Sequence, residues 1–304
     1  MDEQPITNIP DFVHTVLDDA RPWGRVFPWF RGERNVADST LLPQVFRKKY
    51  DENNLLQTFR RRAHLLNLPV IPPVSATDQW LFLARHVGLP TRLLDWTEGA
   101  LIGLYFALSK VEEYERGRQE FKAQKQVPPA KGVVWMLQPM RLNWLAEAFE
   151  KETSDEEVVE PQTNYYGLTW YDPVELGKMR VGRNIAFENI AAAWEQKRPG
   201  RGIQMPVAIE PTTIHPRMNA QHSYFTVHGL DERPLHEILP KALARLREKK
   251  KCSYQLDDLL RKYEITIPPS EGIAELRALG VADSTIMPDA DSLAKELSRF
   301  MRDP

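Results

Sequence analysis

Cysteine is almost missing: Cys252 is the single thiol in 304 residues. That excludes a disulfide framework within the chain and a zinc site built from several thiolates. Histidine does not fill the gap. None of the seven histidines stands in an HxxxH or HExxH spacing, so no metal is expected. Also missing are a GxGxxG turn, a phosphate-binding P-loop and a GxSxG nucleophile elbow, which disfavours the mechanisms those signatures serve. No apolar run approaches membrane-spanning length, and the first residues lack the basic and apolar regions of a secretory leader. A cytoplasmic setting with no membrane partner is the expectation. The formal net charge is only −2, so any pull towards nucleic acid has to come from local basic patches.

What the chain does have is an ordinary globular composition, 42% hydrophobic and 27% charged, at a length that suits one large domain or two small ones. Its 24 prolines are scattered and leave room for only a few long elements. Apolar periodicity and end signals predict helices over 10–19, 51–66, 77–86, 98–109, 141–149, 235–250, 256–263 and 291–301. Extended runs over 25–30, 92–96, 132–137, 206–210 and 224–227 read as strands. Helix 98–109 is apolar nearly all round and is expected in the middle of the domain, with Thr97 as its N-cap. Residues 110–131 are highly charged and read as a solvated connection, 154–161 as an acidic loop, and 187–194 as a short amphipathic piece. Strands and helices do not alternate regularly, which argues for an α+β fold over a doubly wound sheet.

Two stretches carry most of the chemistry. In Phe27-Pro28-Trp29-Phe30-Arg31-Gly32-Glu33 an aromatic run ends on a permanent cation beside a glycine. An arginine on a strand end can grip a planar or phosphate-bearing anion in bidentate fashion, and the glycine lets a ligand approach the backbone. The other reading is a structural arginine paired with a carboxylate such as Asp95. The second stretch is Arg85-His86-Val87-Gly88-Leu89-Pro90-Thr91-Arg92-Leu93-Leu94-Asp95-Trp96-Thr97. His86 can serve as a donor or general base in a cleft, or complement the end of its helix. Asp95 needs a partner if buried, and could orient Arg31, Arg92 or His86. Further on, Gln221, His222 and Ser223 could enter the same cleft or merely satisfy backbone groups. The basic runs at 60–62 and 245–251 read as solvated helix faces, with nucleic-acid contact as the alternative.

Phe30-Arg31-Gly32, followed by the run from His86 to Thr97, resembles the FRG domain family, which is named for its Phe-Arg-Gly motif. Arg85 stands where that family usually has glutamine. Ala220-Gln221-His222-Ser223-Tyr224-Phe225-Thr226 and Ile286-Met287-Pro288-Asp289-Ala290-Asp291-Ser292-Leu293 also look like family features. The family is widespread in bacteria and phages. The order of its motifs is similar to that of the ADP-ribosyltransferase fold, a split β-sheet core packed by helices. The expected organisation is a helical lead at 1–24, such a core at 25–235, and a helical C-terminal extension at 236–304.

The resemblance implies NAD as substrate, with Phe30, Arg31, Gly32, Thr97 and Gln221 binding it and Arg31, His86, Asp95 and Gln221 in catalytic roles. In ADP-ribosyltransferases the late-strand residue is a glutamate. Gln221 is neutral and stabilises developing positive charge less well, so His86, Asp95 or His222 would supply the missing role. The activity implied is that of a toxin or anti-phage effector with a protein or nucleic-acid acceptor. One alternative is a nucleic-acid or nucleotide protein without NAD, in which Trp29, Trp80 and Trp96 stack on bases. The other is a non-catalytic interaction module that uses 110–131 and 154–161 as partner surfaces.

Overall fold

The computed structural model describes residues 5–24, 27–35, 41–66, 68, 70–73, 76–120, 131–150, 204–211 and 216–301. The segments 154–161 and 187–194, and residues 121–130 of the charged connection, lie outside the described residues. The order opens with α1 (Ile9–Ala20), where the Asn8 side chain accepts the Asp11 N–H at 2.8 Å and caps the first turn. Then come β1 (Trp29–Asn35), the short α2 (Gln44–Arg47), α3 (Glu52–Ala63) and α4 (Thr77–His86). Gly88, at φ +87°, turns the chain out of α4. It leads to β2 (Leu93–Thr97) and α5 (Ala100–Glu120), followed by β3 (Lys131–Leu137) and α6 (Pro139–Glu150). Next are β4 (Val207–Ile209), α7 (Pro216–Ala220), β5 (Ser223–Val227), α8 (Leu235–Glu248) and β6 (Leu260–Ile265). The last described elements are α9 (Pro269–Ala278), α10 (Asp283–Ile286) and α11 (Ala290–Phe300).

The six strands form one open antiparallel sheet in the order β4-β5-β2-β1-β3-β6. β1 pairs with β3 along its whole length, from Trp29↔Leu137 to Asn35↔Lys131. Its other neighbour is held far less: β1 meets β2 at Phe30↔Thr97 alone, and beyond that pair the two strands part. At the far edge Ile6 makes a parallel bridge to Ile265, so the start of the described chain is stitched to β6.

Alternation along β1 and β3 divides the core in two. Phe30, Val134 and Met136 pack with Tyr263 and Ile265 beneath α1, α5 and α9, where Phe12, Leu104, Leu108 and Ile273 are buried. Trp29, Val133, Trp135 and Leu137 join the larger cluster under α4, α6 and α8, with Phe82, Leu145 and Leu239. The α5 helix lies unusually close to β1. A Cβ on Gly32 would sit 1.9 Å from Gly103 O and 2.4 Å from Ala107 N, so only glycine fits there. The approach that Gly32 permits is therefore that of a helix, not of a ligand.

Several expectations change. α5 runs on to Glu120, so the first part of the presumed connection is helix. Residues 256–263 do not form a helix: a short turn at 256–258 leads into β6, and the expected helical C-terminal extension contributes an edge strand to the sheet. Thr97 does not cap α5, because its hydroxyl accepts from Gly99 N at 3.1 Å, ahead of the helix.

Candidate functional site

Where β1 and β2 part, side chains take over from the missing ladder. Arg31 Nη1 donates to Asp95 O at 2.8 Å, and Lys110 Nζ, from α5, donates to Gly32 O at 2.7 Å. The rest of the Arg31 guanidinium is spanned by carboxylates. Nε and Nη2 both reach Glu33 Oε1 at 2.7 Å, and Nη1 lies 3.4 Å from Asp95 Oδ2. Asp95 also receives Arg85, with Nε 2.9 Å from Oδ1 and Nη2 on Oδ2. Arg47 Nη2 stands 3.8 Å from Glu33 Oε1. Arg31, Arg47, Arg85 and Lys110 thus gather around Glu33 and Asp95 at the opening of the sheet.

This crowd of charge fixes protonation. Burial raises the Glu33 carboxyl pKa, but Arg31, Lys110 and Arg47 outweigh it and hold the group below its ordinary value. Burial acts on Asp95 in the same sense, yet Arg85, then Arg31 and Lys110, hold it far below the usual carboxylate range. Lys110 is an exposed residue, but its ammonium turns in to Gly32 O, where burial and neighbouring charges act on it. Burial there and the Arg31 charge bring its pKa down to about 8.

Asp95 belongs to a second neighbourhood as well. Its side chain is 39% exposed and faces a cleft of about 120 Å³ between α4, β5 and α7. Phe82 and Phe225, stacked with centroids 5.3 Å apart, give the cleft an apolar wall. Arg85, His86, Arg217, Gln221 and Ser223 supply polar groups. Thr97 Oγ1 donates to Gln221 O at 2.7 Å and ties the end of β2 to the turn before β5. Among the described residues the Gln221 side-chain amide has no hydrogen-bond partner, so it is available to the cleft.

The structure therefore brings His86, Asp95 and Gln221 to one cleft, with Thr97 directly behind Gln221. Arg31 touches that cleft only through Asp95, and its guanidinium is an ion-paired structural group, not an open anion clamp. Phe30 is 3% exposed in the core beneath α5, and Gly32 lies against α5, so neither faces the cleft. His222 is exposed and adopts φ +46° in the turn before β5. Trp29, Trp80 and Trp96 are at most 3% exposed, which removes the stacking surface that a nucleic-acid reading needed. Among the described residues no group of three or more His, Cys, Asp or Glu side chains could hold a metal ion.

Sequence reasoning missed Glu33, Arg47, Lys110 and Arg217. For Glu33 a signal existed, because residues i and i+2 of a strand share a face. Arg47 and Lys110 arrive from α2 and α5, and nothing local announces them. Arg92 shows the closed form of the same chemistry. Its Nε meets Glu52 Oε2 at 2.7 Å, its backbone N–H meets Glu52 Oε1 at 2.7 Å, and Nη1 donates to His228 O and Gly229 O at 3.3 and 3.1 Å. Beside it His228 is fully buried with neither ring nitrogen hydrogen-bonded among the described residues. Burial, helped by the Arg92 charge, pushes that imidazole down to about 3.

Residues 28–116 match the family model of the FRG domain, so the chain carries an FRG domain over that span. The match takes in β1, α4, β2 and most of α5, and leaves α7 and β5 outside it. No curated protein and no solved structure matches the chain significantly. No helix among the described residues is long and apolar enough to cross a membrane.

Proposed function

We propose that this FRG domain, completed by α7 and β5, binds NAD at the cleft and transfers its ADP-ribose, as an ADP-ribosyltransferase-like toxin or anti-phage effector acting on a protein or nucleic-acid acceptor. The observation that carries the reading is a meeting of three segments. An arginine on β1, a hydroxyl at the end of β2 and a polar residue just before β5 converge where the sheet is joined by the single pair Phe30↔Thr97. That near-break between β1 and β2 supports an arrangement like the split sheet of the ADP-ribosyltransferases.

Within this reading each residue has a distinct task. The free Gln221 amide holds a ribose hydroxyl. Asp95, kept ionised by two arginines, is too weak a base to take protons near neutral pH. Its half-exposed carboxylate instead stabilises positive charge as it develops on the ribose. Arg31 is a positioning residue that fixes Asp95 through its carbonyl and carboxylate. His86, on the cleft wall, is the group placed to accept a proton from the acceptor. At about 120 Å³ the cleft is smaller than the roughly 300–1,000 Å³ of whole-ligand sites, so it takes one end of the dinucleotide.

The test is incubation of the full chain with labelled NAD and a cell extract, following both label transfer and nicotinamide release. Both are expected, and both should fall by roughly 10²-fold in Gln221→Ala and in His86→Ala. Absence of NAD binding, transfer and NAD loss in every extract tried would sink the reading.

A further inference from the structure

The turn between α3 and α4 shows apolar side chains to solvent. Past the end of α3, Leu65 and Leu66 donate their backbone N–H groups to Arg62 O and Ala63 O, both at 3.0 Å. Leu68 then packs against the larger core, and Pro72 is buried. Around them Leu65 is 86% exposed, Leu66 54%, Val70 44% and Ile71 38%. The turn is nevertheless fastened. Trp80, buried on α4, donates its indole N–H to Pro73 O at 2.9 Å. The rings of Phe59 and His64 stand edge-on to that indole, 6.1 and 5.9 Å away. Four aliphatic groups are therefore held out in water by a packed support. Large apolar residues exposed singly are ordinary, but four within the run 65–71 make a patch.

The charge beside the patch has one sign. Arg60, Arg61 and Arg62 end α3, and from Asn53 to Thr77 the sequence holds no aspartate or glutamate. Arg60 lies over the Trp80 ring, 5.8 Å from its centroid. Arg61 and Arg62 are exposed. Arg61 donates to Thr58 Oγ1 at 3.3 Å, and among the described residues neither arginine pairs with a carboxylate. Cations in a last turn suit the negative end of a helix, which accounts for the arginines alone. It gives no reason for leucines beside them to be left in water.

We propose that this turn is a membrane-contact surface, which seats Leu65, Leu66, Val70 and Ile71 in the interface of an anionic bilayer while Arg61 and Arg62 meet lipid phosphates. Shape favours a bilayer over a peptide: a leucine 86% exposed stands proud of the surface, whereas a peptide groove is concave. A nucleic acid would use the arginines but not the aliphatic tip, and the nearby indole on which a base could stack, Trp80, is fully buried. Such contact lies on a membrane and does not cross it, so no spanning helix is needed. It departs from the sequence expectation of no membrane partner. It also stands apart from the nucleotide reading, because the ten residues of α4 lead from this turn to the cleft residues Arg85 and His86, a length of about 15 Å.

Co-sedimentation of the full chain with two kinds of vesicle tests this, one of phosphatidylcholine and one of phosphatidylcholine and phosphatidylserine in equal parts. The wild type should bind the anionic vesicles at least about tenfold more tightly than the neutral ones at low salt, and lose most of that preference at high salt. Arg61→Gln combined with Arg62→Gln should weaken anionic binding by about tenfold or more. Leu65→Ser combined with Leu66→Ser should weaken it by about tenfold as well, although the net charge is unchanged. All four side chains are exposed, so thermal melts should match the wild type. If a double variant melts lower, Leu65→Ser alone carries the test, with a loss of about threefold. A wild type that binds neither vesicle overturns the proposal, and so does anionic binding that a folded leucine variant leaves untouched. Binding of single-stranded RNA that the arginine variant abolishes and anionic vesicles do not compete for overturns it too, and gives the patch to nucleic acid.

Discussion

Arg31 and Arg92 look alike at first sight. Each side chain is 10% exposed, and each is paired with a glutamate that is 7% exposed, Glu33 for one and Glu52 for the other. Their surroundings differ. Arg92 turns Nη1 to the carbonyls of His228 and Gly229, with His228 sealed beside it. Arg31 spends its own on Asp95, whose 39% exposed carboxylate is shared with Arg85 and opens on a cleft. Burial and a carboxylate partner do not separate these two arginines. What separates them is whether the network closes on itself or ends on a group that solvent and ligand can reach.

The largest effect should come from opening the closed network. Glu52→Ala removes the carboxylate paired with buried Arg92 and should cost about 3–5 kcal/mol in urea unfolding, with activity per folded molecule unchanged. A cost below about 1 kcal/mol would place Arg92 in the same class as Arg31. Next comes the open network. On the proposed reading, Asp95→Asn should lower NAD turnover by roughly 10²-fold. Its effect on stability should be only about 1 kcal/mol, since the pair is partly solvated and screened. A variant equally impaired in folding and turnover would erase the contrast.

Acid separates the two regions further. His228 has a folded-state pKa of about 3 against an ordinary 6.5, so its neutral form is the one that folds. Stability from it is full above pH 6.5 and is lost as pH falls below that value, by about 2 kcal/mol between pH 7 and 5. Glu33 and Asp95 are depressed carboxyls, so their contribution is full above about pH 4.5 and falls away only below it. His228→Gln should flatten the pH 7 to 5 limb of the unfolding curve and leave the acid limb in place. A limb that persists in that variant would assign it to another group. The smallest effect belongs to Arg47→Ala. That side chain is 42% exposed and 3.8 Å from Glu33, so about 0.5 kcal/mol or less is expected, measured as a shift in the urea midpoint.

Both arginines stand out in the sequence, and so do His86, Asp95 and Gln221, which lie on α4, β2 and the turn before β5. Their partners were harder to see. Glu52 is 40 residues from Arg92 and Lys110 is 78 from Gly32, distances that no local rule spans. β6 misled for a physical reason. Leu256, Leu259, Leu260 and Tyr263 recur at helical spacing, but the open edge of β3 pulls the segment into extended backbone. Gly32 was read as room for a ligand when Gly103 and Ala107, four apart on α5, were the small residues that fill that room.

The place of β6 also bears on synthesis. β3 is made early, but its outer edge waits for β6, and so until residue 265 has left the ribosome, when β6 can close it and Ile6 can bridge to β6 in turn. For the time it takes to translate more than 120 residues, β3 presents six buried-type positions, from Gly132 to Leu137, along an unpaired strand. A chain stalled before that point carries the residues of the cleft on a sheet that still invites a stranger's strand.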